Sequence, residues 1–380
     1  MIQFTQSIHN ERLRMAYNND VVRFKSSFIT NPEYGLVAIA NGPSIRLYPA
    51  PDGMFYINFK PYVTALINTN NFEDTAVTDL LTTSAQSFVY THGSILLKRE
   101  VTFLVYQDSD VYETVSHDLT WIAAAQQIGH YTAYNVNELL VLSPALPDAA
   151  NTCYLKYWKG YPFDISLFSK QDNLTITNTT NLVAEEFTLS GDGATRLFFG
   201  DGRTDETLED LLPLIDGHNR LKLQRTTDAP TAAKYILLEK AAACPGVYLK
   251  WLNAHGGYSY WLFENTYAID RSAKSLGELD HDFENAENSF ARTTQIGREV
   301  QDSIKIVAEL LTEPQRNIVQ NLLESPKVYL FTGAPFSRSD YRSWIEVSVK
   351  TTAARIRNPR EALTNFTFDI ELPARYTQVL

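Results

Sequence analysis

Cysteine is scarce in this chain, with only Cys153 and Cys244 in 380 residues. Two thiols so far apart cannot build a disulfide framework or a four-cysteine zinc site. The plain expectation is two buried, reduced thiols, and the alternative is a single bridge. Methionine is rarer than usual at three residues, which argues against a soft methionine-lined binding groove. Long apolar runs are missing. A membrane helix needs about 18 or more apolar residues. The longest candidate here, Trp121 to Ile128, is interrupted by Gln126 and Gln127. No membrane insertion is expected. The opening Met-Ile-Gln-Phe-Thr-Gln has no basic segment followed by an apolar stretch, so no secretory signal is expected either. The sequons at Asn173, Asn178 and Asn365 then read as polar strand sequence rather than glycosylation sites. Clustered basic residues are also missing, and the formal charge is −11. Phosphate contacts need Lys and Arg in patches, so nucleic acid is not an expected partner.

The motifs of familiar chemistry are missing too. The chain has no Gly-x-x-x-x-Gly-Lys-Ser/Thr loop, no Gly-x-Gly-x-x-Gly, no Gly-x-Ser-x-Gly and no His-Glu-x-x-His. Its seven histidines, His9, His92, His117, His130, His218, His255 and His281, show no metal-ligand spacing. Asp280-His-Asp282, with Glu278 and Glu284 beside it, admits a divalent cation, but a solvated acidic loop is the simpler reading. Asp192, Asp201, Asp205 and Glu206 lack the spaced ligand series of a calcium loop and read as turn residues. Glu185 and Glu186 are adjacent in a predicted strand, so they face opposite sides and cannot form a glycosidase pair. No catalytic, cofactor-binding or metal-binding residues are assigned, no cofactor is expected, and the protein is expected not to be an enzyme.

Aromatic residues and short extended segments are what the chain does have. Twenty-one Tyr and twenty Phe favour strands and half-wet surfaces. The pattern predicts a mainly β protein of two or three β-sandwich-like domains: 1–125, 126–270, and 271–380, the last of which is the one that can be continuous with the middle block. In the first block, Ser44 to Tyr48 and Met54 to Phe59 flank Pro49-Ala-Pro-Asp-Gly53 and read as a hairpin. Ser87 to Tyr90 and Ile95 to Tyr106 read as another, turning at Thr91 to Ser94. Tyr62 to Ile67 fits a helical turn or a strand. The middle block carries predicted strands from Glu138 to Phe199, a short helix over Thr207 to Ile215 capped by Thr204 or Asp205, and strands at Tyr235 to Glu239, Gly246 to Leu252 and Tyr258 to Phe263. The last block has a polar loop or arm at Ser272 to Asn288 and a strand at Ser303 to Glu309. One short helix, about 312–324, packs on a sheet. Its signals are the capping box Thr312/Gln315, Pro314 in the first turn and a stripe of Ile318, Val319, Leu322 and Leu323. Strands at Lys327 to Phe331, Trp344 to Val349 and Phe366 to Leu372 follow.

The densest feature is the aromatic segment Tyr248 to Phe263. It admits a sugar-stacking platform of Trp251, Tyr258, Tyr260 and Trp261, or a hairpin whose aromatics fill a core or a subunit contact. The segment Leu249-Lys-Trp-Leu-Asn-Ala-His-Gly-Gly-Tyr258-Ser-Tyr-Trp resembles one found in tail structural proteins of phages and prophages of Bacteroidota. Further segments similar to that family are Leu311-Thr-Glu-Pro-Gln, Leu322-Leu-Glu-Ser-Pro-Lys-Val-Tyr-Leu330, Trp344 to Val349 and Asn365 to Leu372. More loosely, Phe55 to Tyr62 and Asn70-Asn-Phe72 fit it as well. The resemblance implies a virion protein of the distal tail, baseplate or adaptor type, joining the tail tube to the distal apparatus. Its implied partners are other copies of itself in a symmetric ring, the tail tube, and baseplate or fibre proteins. Its implied place is the virion tail, after assembly in the host cytoplasm. Ser272 to Asn288 and Pro373 to Leu380 are the segments expected to serve as arms that order on binding. The alternatives are a carbohydrate-binding surface module and, less favoured, a polysaccharide-degrading enzyme.

Overall fold

The computed structural model describes residues 1–380 except 75, 77–83, 128–132, 201–206, 265–266, 281–282, 284–285, 290, 333–343, 359–360 and 380. The chain is mainly β, as expected, and divides into two compact units. One comprises Met1–Ala241 with Asn253–Tyr258, and the other Ala242–Leu252 with Ser259–Leu380.

The first unit carries four sheets that work as two sandwiches. In the first sandwich, a three-stranded sheet (Ile2–Phe4, Val21–Ser26, Phe55–Asn58) faces a six-stranded one. The centre of the larger sheet is a long hairpin, Leu96–Gln107 with Asp110–Ile122. Asp108 and Ser109 turn it with φ of 53° and 69°, the doubly left-handed turn that matches strand twist. Alternation fixes which face is inside. Val101, Phe103 and Val105 are buried from one strand, and Leu119 and Trp121 from the other. Phe103 meets Phe4 at 5.1 Å and Phe24 at 5.2 Å, both edge-on, so aromatic rings tie the two sheets together.

The second sandwich pairs a four-stranded sheet with a six-stranded one. Phe163–Ser169 and Gly193–Gly200 lie at the heart of the smaller sheet. Every residue of Phe163–Ser169 is buried, so this strand is covered on both faces despite its antiparallel pairing. Tyr157 of the larger sheet reaches Phe163 at 5.4 Å.

Two expected hairpins are not hairpins. Ser44–Leu47 pairs with Tyr34–Ile39, and Phe55–Asn58 pairs with Val21–Ser26 in the opposite sheet. The Pro-Asp-Gly turn between them is real. Ala50 N donates to Met54 O at 2.9 Å, and Gly53 sits at φ 74° where a Cβ would fall 2.5 Å from Thr30 O. The chain there crosses between sheets, which turn chemistry alone cannot reveal. Likewise Val89–Thr91 joins the second sandwich, while Leu96–Gln107 belongs to the first. The helix expected over Thr207 to Ile215 is confined to Leu208–Leu211, with Thr207 as N-cap and Asp210 completing a capping box. Pro213 prevents its continuation. The caps expected at Thr204 and Asp205 lie outside the described residues. Tyr62 to Ile67 resolves as helix, Lys60–Ile67, with Pro61 in its first turn.

The second unit is built on one seven-stranded sheet in the order Tyr258–Glu264, Gly246–Leu252, Val328–Phe331, Trp344–Val349, Thr364–Glu371, Thr293–Leu311, Tyr267–Asp280. The aromatic hairpin placed in the 126–270 block therefore belongs to this sheet, because Gly246–Leu252 pairs with Val328–Phe331. The expected helix runs over Glu313–Val319 and tightens into a 3₁₀ turn at Gln320–Glu324. Thr312 and Gln315 form the predicted capping box, and Ile318, Val319 and Leu322 are buried. Of the loop or arm expected at Ser272 to Asn288, residues 272–280 are strand, and 281–282 and 284–285 lie outside the described residues. Tyr267–Asp280 is an edge strand paired along its length with Thr293–Leu311, and a bulge falls at Gly277. Of the arm expected at Pro373 to Leu380, residue 380 lies outside the described residues and the rest is tied down at two places. Arg375 N donates to Val300 O, and Gly297 bridges Val379.

Candidate functional site

The side chains singled out for sugar stacking are inside the protein. Trp251 is 0% exposed, Trp261 and Tyr258 4%, and Tyr260 5%. Both faces of each strand of the aromatic hairpin are covered. In the second unit, Tyr248 stacks on Tyr260 at 6.0 Å and meets Trp344 at 5.9 Å, while Lys250 places its Nζ 4.4 Å from the Trp344 ring. This is a core, and none of these four rings is presented to a sugar.

Asn253 shapes the hairpin tip. Its Oδ1 accepts from the N–H groups of His255 and Gly257, and its Nδ2 donates to Leu142 O at 3.0 Å. Gly257 approaches so closely that a Cβ would lie 2.4 Å from Leu142 O. Burial drives the His255 imidazole down to about 4, so it is neutral at pH 7.

The strongest concentration of charge inside the first unit is centred on Arg196, which is 1% exposed. Strand pairing sets Ser166 opposite Arg196 and Asp164 opposite Phe198. Arg196 donates through Nε and Nη2 to Asp164 Oδ2, at 3.1 and 2.6 Å, and through Nη1 to Asp74 Oδ1 at 2.7 Å. Its guanidinium lies 4.3 Å from the Tyr258 ring and 4.7 Å from Phe198. Ser166 Oγ donates to Asp164 Oδ1 and accepts from Tyr258 N. His92 stacks on the other partner, Tyr258, at 5.6 Å. One cation thus answers two buried carboxylates contributed by distant stretches of sequence. These charged side chains are all buried, and their donors and acceptors answer one another across distant segments. Sequence reasoning missed it, since no motif links residues 74, 164 and 196.

Among the described residues, no group of three or more His, Cys, Asp or Glu is placed to hold a metal. His281, Asp282 and Glu284, and Asp201, Asp205 and Glu206, lie outside the described residues. Glu185 and Glu186 do face opposite ways on Val183–Leu189. Cys153 and Cys244 are not bridged to each other. Cys153 is buried, donates to Ser143 O, and has its thiol pushed up to about 12 by that burial. It is an inert thiol at neutral pH. No described helix is long and apolar enough to cross a membrane.

No protein-family model matches the chain, and no curated protein matches it. Among solved structures it is similar to a crystal structure of titin domains, with 11% identity over 80% of this chain and 92% of that one, at a TM-score of 0.24. It is also similar to domains 4–9 of the surface layer protein SbsC, with 9% identity over 98% of this chain and 42% of that one, at a TM-score of 0.19. A third similarity is to a tri-modular endo-β-1,4-glucanase from Bacillus licheniformis, with 6% identity over 60% of this chain and 36% of that one, at a TM-score of 0.18. Scores this low carry no argument about function.

Proposed function

We propose that the chain is a structural and interaction protein of a phage tail, of the distal tail, baseplate or adaptor type, which works by covering surface rather than by catalysis. The observation that carries this reading is the ribbon Tyr267–Asp280 with Thr293–Leu311. Almost every side chain of Tyr267–Asp280 is exposed, including Ile269, Leu276 and Leu279, and Phe283 just beyond is 85% exposed. Tyr267–Asp280 is also an edge strand whose outer backbone groups have no neighbouring strand among those described. Such a ribbon has apolar groups and main-chain donors left over for a partner. The proposed partners are further copies of this chain in a ring and neighbouring tail proteins. The segment resemblances described above support the same reading.

The carbohydrate-binding alternative loses the residues on which it was based, because Trp251, Tyr258, Tyr260 and Trp261 are core side chains. Mass photometry across a concentration series tests the main reading. A discrete closed oligomer that reverts to monomer when Leu276, Leu279 and Phe283 are replaced by Ser supports it. A monomer at every concentration that also fails to bind purified tails defeats it.

A further inference from the structure

The edge strand Tyr267–Asp280 is regular over its first part. From Tyr267 opposite Ile306 to Ser275 opposite Arg298 its pairing with Thr293–Leu311 is unbroken, and the first shift comes at Gly277. Every side chain from Tyr267 to Ser275 is exposed. Asp270, Ser272 and Lys274 share one face, because they alternate along the strand. Arg271 points to the other face and is already engaged, donating to Asp302 Oδ1 at 2.7 Å and Oδ2 at 3.1 Å. Asp270 and Lys274 make no ion pair among the described residues. On the inner side of the strand Ser303 stands opposite Asp270, and Glu299 opposite Lys274. On the outer side no described strand stands opposite either.

We propose that this strand pairs with the same strand of a second copy, antiparallel about a two-fold axis at Ser272, so that Asp270 of each copy faces Lys274 of the other. The proposal rests on the reading of the ribbon as a contact between copies, and adds its partner strand, symmetry and register. A two-fold axis that continues the sheet keeps each side chain on its own face, so the axis passes through a residue and sets that residue opposite itself. Charge then selects among the possible centres. An axis at Asp270 sets aspartate against aspartate, and one at Arg271 sets arginine against arginine. An axis at Ile269 or Ala273 brings no opposite charges together within the regular run. An axis at Ser272 forms two opposite-charge pairs and no like-charge pair. The main chain supplies the affinity of such an added strand, and the side chains supply its register. The bulge at Gly277 confines the pairing to the segment before it. The contact is isologous, so any ring assembly in which every subunit uses it holds an even number of copies.

The test is sedimentation of the full chain over a concentration series at low salt. The parent should form a dimer or an even-numbered assembly. Asp270→Lys and Lys274→Asp each turn both opposite-charge pairs into like-charge pairs, and each should weaken association by about tenfold or more. Both side chains are exposed, so the thermal midpoint should stay in place. Mixing the two variants restores both pairs, and the mixture should associate about as tightly as the parent. Ser272→Cys, in a Cys244→Ser background, should form a disulfide-linked dimer on mild oxidation, since residues opposite each other in an antiparallel pair lie about 4.5–5.5 Å apart at Cα. Ile269→Cys in that background should not. A parent that stays monomeric, single charge variants that associate as tightly as the parent, a mixture that fails to associate, or cross-linking at Ile269→Cys and not at Ser272→Cys overturns the proposal. The tail reading fails on a different result, a monomer that also does not bind purified tails.

Discussion

Replacing Arg196 with Ala should be among the most damaging single changes in the first unit. The side chain's charge-assisted hydrogen bonds include two to Asp164 and one to Asp74, and it lies against the rings of Tyr258 and Phe198. Asp164 is 2% exposed, so its carboxylate would be left buried without its cation. Removing one partner of a buried ion pair costs about 3–5 kcal/mol. Losing the ring contacts adds about 1 kcal/mol. In a unit of this size, about 4–6 kcal/mol corresponds to a fall in Tm of roughly 10–20 °C. Differential scanning calorimetry of the parent, Arg196→Ala, Asp164→Asn and the double variant measures it. The two single losses should be strongly non-additive, since each already breaks the same contact. Arg196→Met with both Asp164→Leu and Asp74→Leu should regain part of the stability, because it removes the cation together with its two carboxylate partners. A loss under about 1 kcal/mol for Arg196→Ala, or additive single losses, would refute the view that this buried node holds distant segments together.

His255 is depressed in the folded state to about 4 by burial, so between that value and its ordinary value the unfolded chain binds the extra proton. Its contribution to stability is complete above the unfolded value and is lost as pH falls from there toward 4. Chemical denaturation from pH 7 to pH 4 should show a loss of up to about 3 kcal/mol that His255→Asn reduces; an unchanged pH dependence would count against the burial of that ring. Thr312→Ala should cost about 1 kcal/mol in urea unfolding by breaking the capping box, while Ser325→Ala at the far end should cost less. Gly257→Ala should destabilise by about 2 kcal/mol or more, since the added Cβ meets Leu142 O at 2.4 Å; a neutral result would mean that the hairpin tip yields.

Local pattern made some parts of the molecule legible in advance. The Thr312/Gln315 capping box, Pro314 and the spacing of Ile318, Val319 and Leu322 specified the helix within a few residues, because helix ends are governed by near neighbours. Alternation located most strands, though the clean pattern of Gly217–Arg225 was overlooked. Pairing was far less legible. The Pro49 to Gly53 turn has hairpin chemistry, yet its flanking strands enter opposite sheets, since sheet choice depends on contacts many residues away. The same reason hid the Arg196 node, whose partners are 32 and 122 residues distant. The aromatic hairpin showed the opposite failure: its residues were found, but period-two spacing cannot distinguish a strand covered on both faces from one that presents rings to solvent. The end of the edge strand, Ser272 to Asp280, has the pattern of a polar loop because Ser, Lys, Gly, Glu and Asp make up most of it, and charged residues such as these also protect edge strands from unwanted pairing.

The central claim is that the exposed ribbon is completed by other subunits of a tail. Hydrogen–deuterium exchange on the isolated chain and on the same chain within purified tails tests it most directly. The account predicts that amides of Tyr267–Asp280 exchange quickly in the isolated protein and become strongly protected in the particle. Equal exchange in both, or absence of the chain from the particle, would contradict it.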